Sequence, residues 1–310
     1  MTGPVVLIGS PLDAHVDAIA TGLRERGVDA VVVDTLSFPD EVRISLGDRI
    51  DSIEVEGRPL GRPAALYLRD IYVHPLSFGV DADAEMEQDW RRTLVAFREK
   101  GQMLIPLLAR WCEMGVPMYN PPSHDWRHSK AFQIAVLGRA GLPVPETVWT
   151  NDPDTVRRFA QGRRVIYKPV AGGAATRELG PEDLTEERLR ALSGAPVTFQ
   201  ELLAGDENFR VYCIDGDVVA CLRVVSKTLD FRQNEELIEE TTLPPEVLEQ
   251  CLKAAELVGM RWTGIDLRPG ADGTLRFLEL NSSPMFLGFD HRAGTKVLDA
   301  VVARLASHVS

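Results

Sequence analysis

The chain is poor in the residues that several function classes require. It has four cysteines in 310 residues, and Cys112, Cys213, Cys221 and Cys251 lie far apart with no CxxC pair. That spacing points away from a redox dithiol or a cysteine zinc site and reads as reduced thiols. No five consecutive lysines or arginines occur, and the formal net charge is −12. An acidic surface repels phosphate backbones and anionic lipid, so neither nucleic acid nor membrane is expected as a partner. Met1-Thr2-Gly3-Pro4 carries no basic segment, and the apolar run Val5–Ile8 is too short for a signal core or a membrane span. A cytoplasmic location is the expectation. No GxGxxG follows the first apolar run and no GxxxxGK[ST] occurs anywhere, so neither a Rossmann cofactor site nor a Walker A loop is read. Internal repeats and low-complexity tracts are also missing.

Hydrophobic residues make up 45% of the chain, which is ordinary for a globular protein. The length suggests two or three packing units of roughly 100–150 residues. Val5–Gly9, Asp13–Arg26 and Ala30–Val33 read as strand, helix and strand, the start of a parallel α/β sheet. Short strands are expected at Val42–Leu46 and Ile53–Val55, and a buried one at Ala64–Leu68. A long helix is expected over Asp83–Cys112, broken near Gly101 and Pro106. Asn120-Pro121-Pro122 is a strong breaker and marks the first boundary. Helices are then expected at Trp126–Ala140, after the Asp152 cap, and at Pro245–Val258 and Thr295–Val309. Strands are expected at Arg164–Val170 and Val197–Leu203. A hairpin, Arg210–Ile214 with Val218–Val225, should turn at Asp215-Gly216.

A second hairpin, Trp262–Leu267 with Thr274–Leu280, holds the sharpest signal. A two-residue turn at Asp272-Gly273 would set Asp266 directly opposite Glu279, with Cβ atoms about 4.5–5.5 Å apart. Asn281 would share that face. Two facing carboxylates among Ile265, Leu267, Leu278 and Leu280 repel, so either one holds a proton or a cation sits between them. Hard oxygen ligands of this kind suit Mg²⁺. The alternative is two acids on a solvated strand face. A four-residue loop would instead pair Gly264 with Glu279.

Other candidates are weaker alone. Lys168 runs into the small-residue loop Ala171–Thr176, which suits phosphate oxygens, although an edge-strand lysine reads the same way. Lys130 near a helix start is ordinarily a surface lysine. Glu201-Leu202-Leu203 followed by Gly205-Asp206-Glu207-Asn208 can present backbone groups to an adenine ring and polar groups to a ribose. Arg210, Arg223, Lys227 and Arg232 cluster in sequence around one hairpin, as an anion site or as salt-bridge partners.

The order of these pieces is more specific than any one of them. A lysine before a helix, a strand lysine with a small-residue loop, Gln-Glu-Leu-Leu, Asp230-Phe231-Arg232-Gln233-Asn234, Gly-Ile-Asp and Leu-Glu-Leu-Asn-Ser-Ser-Pro together resemble the ATP-grasp superfamily. The resemblance is to the RimK-like glutamate ligase branch and to graspetide maturases, and it covers about residues 120–310 well. It implies an α/β ATP-grasp fold behind a parallel-sheet N-terminal domain, with units 1–122, 123–198 and 199–310. It further implies that Lys130 and Lys168 contact ATP phosphates, that Glu201, Leu202 and Leu203 line adenine, and that Asp206 or Asn208 meets ribose. Lys227, Arg232 and Asn234 would approach the triphosphate, and Arg232, Lys168 and Arg210 would form the catalytic set. Asp266, Glu279 and Asn281 would ligate Mg²⁺, with Mn²⁺ as a substitute.

The activity implied is ADP-forming carboxylate–amine ligation through an acyl phosphate, on an amino acid, small carboxylate or peptide. Two alternatives stay open: a macrocyclase acting on a ribosomal precursor with its leader peptide, and a nucleotide-binding regulator without turnover. A homo-oligomer is left open. Two departures from the family pattern stand out. The 171–177 loop holds less glycine than is usual, and Met285-Phe286-Leu287 is bulkier, which suggests a different acceptor. Glu146 and its neighbours at 145–153, and Tyr67-Leu68-Arg69-Asp70, resemble short stretches of graspetide maturases.

Overall fold

The computed structural model describes residues 3–35, 38, 44–46, 53–55, 57–69, 82–121, 127–170, 175–203, 205–227 and 236–309. Strand β1 (Val5–Ile8) is followed by helix α1 (Ala14–Glu25) and strand β2 (Ala30–Val33). Asp13 caps α1 by accepting from the His15 N–H, and Val16, Ile19, Ala20 and Leu23 form the buried stripe that drives the helix onto the sheet. The small strands β3 (Ile44–Leu46), β4 (Ile53–Val55) and β5 (Arg58–Pro59) make their own sheet. Next come β6 (Ala65–Leu68), the 32-residue helix α2 (Ala82–Glu113) and β7 (Met118–Tyr119). The first sheet is parallel in the order β2-β1-β6-β7, as the opening strand–helix–strand pattern implies.

Helix α2 runs through Gly101 and Pro106, where breaks were expected. Its interruption is at Asp89, with φ −154° and ψ 84°. The reason is capping: the Asp89 carboxylate accepts from the Arg92 N–H at 3.1 Å and so starts a fresh helical segment. Pro106 is tolerated because Leu104, Leu107, Leu108 and Trp111 are buried around it.

The middle of the chain folds as α3 (Lys130–Arg139), β8 (Thr147–Thr150), α4 (Pro153–Ala160), β9 (Val165–Pro169), β10 (Arg177–Glu178), α5 (Glu186–Arg190) and β11 (Val197–Glu201). The sheet is antiparallel in the order β10-β9-β11-β8, so Lys168 stands on an interior strand rather than at an edge. Val165 and Phe199 face a small core with Val156, Leu189 and Leu192. Strand alternation sends Lys168, Thr198 and Gln200 to the other face.

The last part comprises β12 (Glu207–Ile214), β13 (Asp217–Val225), β14 (Leu237–Glu240), α6 (Pro245–Val258), β15 (Trp262–Pro269), β16 (Leu275–Asn281), α7 (Leu287–Ala293) and α8 (Val297–Ala306). These strands form an antiparallel sheet in the order β14-β13-β12-β15-β16. Asp215 and Gly216 both take positive φ, 48° and 85°, as the two-residue β12–β13 turn demands. One face packs Val211, Ile265, Leu267, Phe277 and Leu280 against Leu137 of α3 and Cys251, Ala254 and Val258 of α6. The opposite face packs Tyr212, Ile214, Leu222, Val224 and Trp262 into a core shared with α1, α8, β1 and β6. Among the described residues, no helix is long and apolar enough to cross a membrane.

Candidate active site

Asp266 and Glu279 are directly paired across β15 and β16. The route to that pairing differs from the expected two-residue turn. Near the loop, Pro269 faces Leu275 and Leu267 faces Phe277, a register one step away from the one that pairs 266 with 279. The loop closes with Gly270 N–H donating to the Thr274 carbonyl at 2.8 Å, and Gly273 adopts φ 79°. A bulge then leaves Leu278 without a ladder partner and restores the 266–279 register. If the loop-side register ran on through the same residues with no bulge, Leu278 would face Asp266 and Glu279 would turn into the core with Phe277.

Each carboxylate has a cationic partner. Asp266 Oδ1 lies 3.0 Å from Arg210 Nε, and both side chains are 8% exposed. Arg210 faces Asp266 because the two pair across β12 and β15. Asn281 Nδ2 donates to Asp266 Oδ2 at 3.2 Å. Glu279 is in ion contact with Lys130 at the start of α3. Burial pushes the Glu279 carboxyl up, but Lys130, Lys168 and Asn281 outweigh it and hold the group below its ordinary value. Lys168 reaches this site from the central sheet, where its ammonium donates to Gln200 Oε1 at 3.4 Å. Gln200 is itself held by Thr147 Oγ1 at 2.9 Å. Lys130, Lys168 and Arg210 thus converge on Asp266 and Glu279, a local positive excess in an acidic chain.

Glu201 and Gly205 are clamped from the C-terminal sheet. Arg276 donates to Glu201 Oε1 at 3.0 Å, and the same oxygen accepts from the Glu146 N–H at 3.0 Å. Backbone N–H groups of Glu201 and Leu202 are committed to the Glu146 and Arg164 carbonyls, both at 2.9 Å. Leu203 is buried, Asp206 is exposed, and Asn208 is buried with its Nδ2 donating to the Asp206 carbonyl at 3.5 Å. Arg268 donates to the Gly205 carbonyl, and its own burial lowers its pKa. Neither Arg268 nor Arg276 was singled out from the sequence. Their paired positions opposite one another on β15 and β16 become visible only once the register is known.

The basic residues near the β12–β13 hairpin do not all converge. Arg223 pairs with Phe209 on the ladder, so it faces away from Arg210 and binds Glu207 and Glu239 at 2.7 Å each. Lys227 lies 3.1 Å from Glu236 and is 71% exposed. Arg232, Asn234 and their segment 230–234 lie outside the described residues, as do 171–174, Asp70 and Pro122.

The turn after β16 is tied to the N-terminal unit. Arg69 donates to the Ser283 carbonyl at 2.8 Å and to Asp13 at 2.7 Å. His15 Nε2 accepts from the Phe286 N–H at 3.0 Å, and Tyr212 donates to the Met285 carbonyl at 2.5 Å. Asn120, read from sequence only as part of a breaker, bonds both peptide groups of Trp262 and the Ser282 carbonyl.

Residues 128–305 match the RimK-like ATP-grasp domain family. The chain belongs to that family. It is an ATP-dependent ligase with the ATP-grasp fold. It is similar to a probable alpha-L-glutamate ligase of Thioalkalivibrio sulfidiphilus, at 26% identity over 61% of this chain and 67% of that protein. The tetrahydromethanopterin:alpha-L-glutamate ligase of Methanocaldococcus jannaschii is 24% identical over 63% of this chain and 72% of its own. Among solved structures, the ATP-grasp ligase PsnB in complex with a phosphomimetic variant of a minimal precursor, Mg and ADP is 49% identical. That match covers 99% of this chain and 98% of PsnB, with a TM-score of 0.91. The macrocyclase MdnC of Microcystis aeruginosa, bound with its precursor peptide MdnA, shares the fold at a TM-score of 0.81 and 21% identity, over 97% of this chain and 99% of its own.

Proposed function

We propose that this ligase acts on a precursor peptide, activating a side-chain carboxylate with ATP and joining it to an amine or hydroxyl of the same peptide. The observation that carries the activation step is the polar face on which Asp266, Glu279 and Asn281 stand among Lys130, Lys168 and Arg210. The peptide substrate is supported by the 49% identity with PsnB, whose structure holds a phosphomimetic variant of a minimal precursor, Mg and ADP.

ATP lies between the polar face of the central sheet, in the unit 123–198, and the C-terminal sheet of the unit 199–310, with 1–122 bracing the latter. Its adenine is lined by Glu201, Leu202 and Leu203, with Asp206 and Asn208 at the ribose end. Lys130 and Lys168 draw the phosphates in, and Lys227, Arg232 and Asn234 are assigned to the triphosphate by the sequence resemblance alone. Two carboxylates and an amide oxygen are a donor set that fits Mg²⁺, with Mn²⁺ as a substitute, and the ion would supply charge neutralisation at the phosphates. Asn281 must then turn its amide oxygen toward the ion, away from its present donation to Asp266. Arg210, Arg232 and Lys168 stabilise charge as the peptide carboxylate attacks the γ-phosphoryl. The acyl phosphate and ADP form, and the acceptor amine or hydroxyl displaces phosphate to give an amide or ester. Positioning and charge do this work, so no nucleophilic side chain of the enzyme is needed.

The test is mass spectrometry of candidate precursor peptides, including the minimal precursor that PsnB binds, incubated with enzyme, Mg²⁺ and ATP. One ADP and the loss of one water per link are expected. The glutamate-ligase relatives support a second reading, in which added glutamate raises the peptide's mass instead. Glu279→Gln should abolish Mg²⁺-dependent ADP formation while the circular dichroism spectrum stays unchanged. Undiminished turnover would remove Glu279 from the metal set.

A further inference from the structure

Gln133 is 1% exposed and sits on α3 beside the buried Ile134 and Leu137. A buried amide is costly unless its groups are paired. Its Oε1 accepts from the Leu280 N–H at 3.0 Å. Its Nε2 donates to the Leu280 carbonyl at 2.9 Å and to the His128 carbonyl at 3.2 Å. Strand β16 is the outer strand of its sheet, so its outward peptide groups have no ladder partner. The Gln133 amide meets the Leu280 peptide as one residue of a further strand would. Pro143 does the same at Phe277, accepting its N–H at 2.9 Å.

Leu280 lies between Glu279 and Asn281, and its own side chain points into the core. Lys130 is three residues before Gln133 on α3, so the two share a helix face. One short stretch of α3 therefore grips the β16 backbone and delivers the ammonium that meets Glu279.

We infer that Gln133 is a positioning residue of the nucleotide–metal site. It locks α3 to the Leu280 peptide, which keeps Lys130 on Glu279 and fixes the aim of Glu279 and Asn281. This rests on the reading of that site given above. A glutamine with only a structural role would change stability without changing nucleotide affinity in the folded protein.

Titration calorimetry with Mg·ADP on the full chain separates these roles. Gln133→Leu removes both bonds to Leu280. Gln133→Met keeps the length of the side chain without either bond to Leu280, and it carries the comparison if Gln133→Leu does not fold. Gln133→Leu should weaken Mg·ADP binding about tenfold, the upper size of one lost hydrogen bond, and Gln133→Met should weaken it to the same extent. KM for Mg·ATP should rise in step, with a smaller change in kcat. With Lys130→Met already present, Gln133→Leu should add little, because residues acting through one contact are not additive. Unchanged Kd and KM beside a lowered melting temperature, or fully additive effects, would overturn the inference. Unaltered binding in Lys130→Met would remove the site reading and the inference together. A weakened Lys130→Met beside an unaffected Gln133 variant overturns only the role of Gln133.

Discussion

At the scale of single residues, the Arg210–Asp266 pair shows how the site balances charge before any ligand arrives. Both side chains are 8% exposed. Removing one partner of a buried pair leaves an uncompensated charge and costs about 3–5 kcal/mol. Arg210→Met should therefore lower unfolding free energy by about that much in the absence of ligand. Mg·ADP should recover part of the loss if, as proposed, a cation beside Asp266 takes the place of the guanidinium. Denaturant unfolding with and without Mg·ADP measures both, and an equal deficit in the two conditions would count against a metal at Asp266. His15 carries the pH prediction. Its Nε2 accepts from the Phe286 N–H, so the neutral ring is the one that fits. Burial first, then Arg69, lowers its pKa against the opposing pull of Asp13 and Asp290. A depressed histidine leaves the unfolded chain binding the extra proton, so stability is full above about 6.5 and falls as pH drops below it. His308 is lowered too and acts in the same sense. The difference between wild type and His15→Gln isolates the His15 share, and a His15 resonance titrating at or above 6.5 would contradict it.

At the scale of elements, the register from Glu279 onward decides whether the β15–β16 hairpin makes a site, and the bulge at Leu278 is how this sequence reaches it. Deleting Leu278 joins Phe277 to Glu279 and gives an unbroken ladder in which 279 still faces 266. That variant should fold, with the pair and Mg²⁺-dependent ADP formation retained. Inserting one alanine between Glu279 and Leu280 should turn Asn281 to the wrong face and abolish ADP formation. Equal activity of the two variants would show that register does not matter here. The hairpin also shows what could be read from the residues. Alternating polarity and the Asp–Gly turn made the 266–279 pairing legible, yet the loop is longer than expected and the bulge compensates. A bulge leaves no mark on alternation when it inserts one more apolar residue beside others. Asp215-Gly216 was readable in full because only that turn type needs positive φ twice. Strands β8 and β14 and helix α7 were not, being four to seven residues long with mixed polarity. Gln133 was hidden for another reason: its partner is a backbone peptide 147 positions away.

At the scale of the whole molecule, the three segments expected from sequence are unequal in independence. The central sheet keeps its own small core of Val156, Val165, Leu189, Leu192 and Phe199. The N-terminal and C-terminal sheets each bury one face separately, around Leu107 and Trp111 in the first and around Val211 and Phe277 in the second, but they share the core between their other faces, in which Tyr212, Ile214, Leu222, Val224 and Trp262 pack with Val16, Ile19 and Leu23 of α1 and Val301, Val302 and Leu305 of α8. Asn120 adds paired bonds to the Trp262 peptide, at 2.7 and 3.0 Å, across the same boundary. Burying one large apolar side chain contributes roughly 1.5–3 kcal/mol, while a domain's net stability is about 5–15 kcal/mol. Stripping the N-terminal unit would expose several such side chains at once. A fragment spanning 123–310 should therefore bind a hydrophobic dye, lose its near-ultraviolet circular dichroism and fail to bind Mg·ADP, although it contains every residue assigned to the nucleotide. Adding back 1–122 as a separate chain should restore both the spectrum and the binding, because the missing ingredient is a packing face and not a ligand contact. A fragment that binds Mg·ADP as tightly as the whole chain would show that the shared core is dispensable to the site.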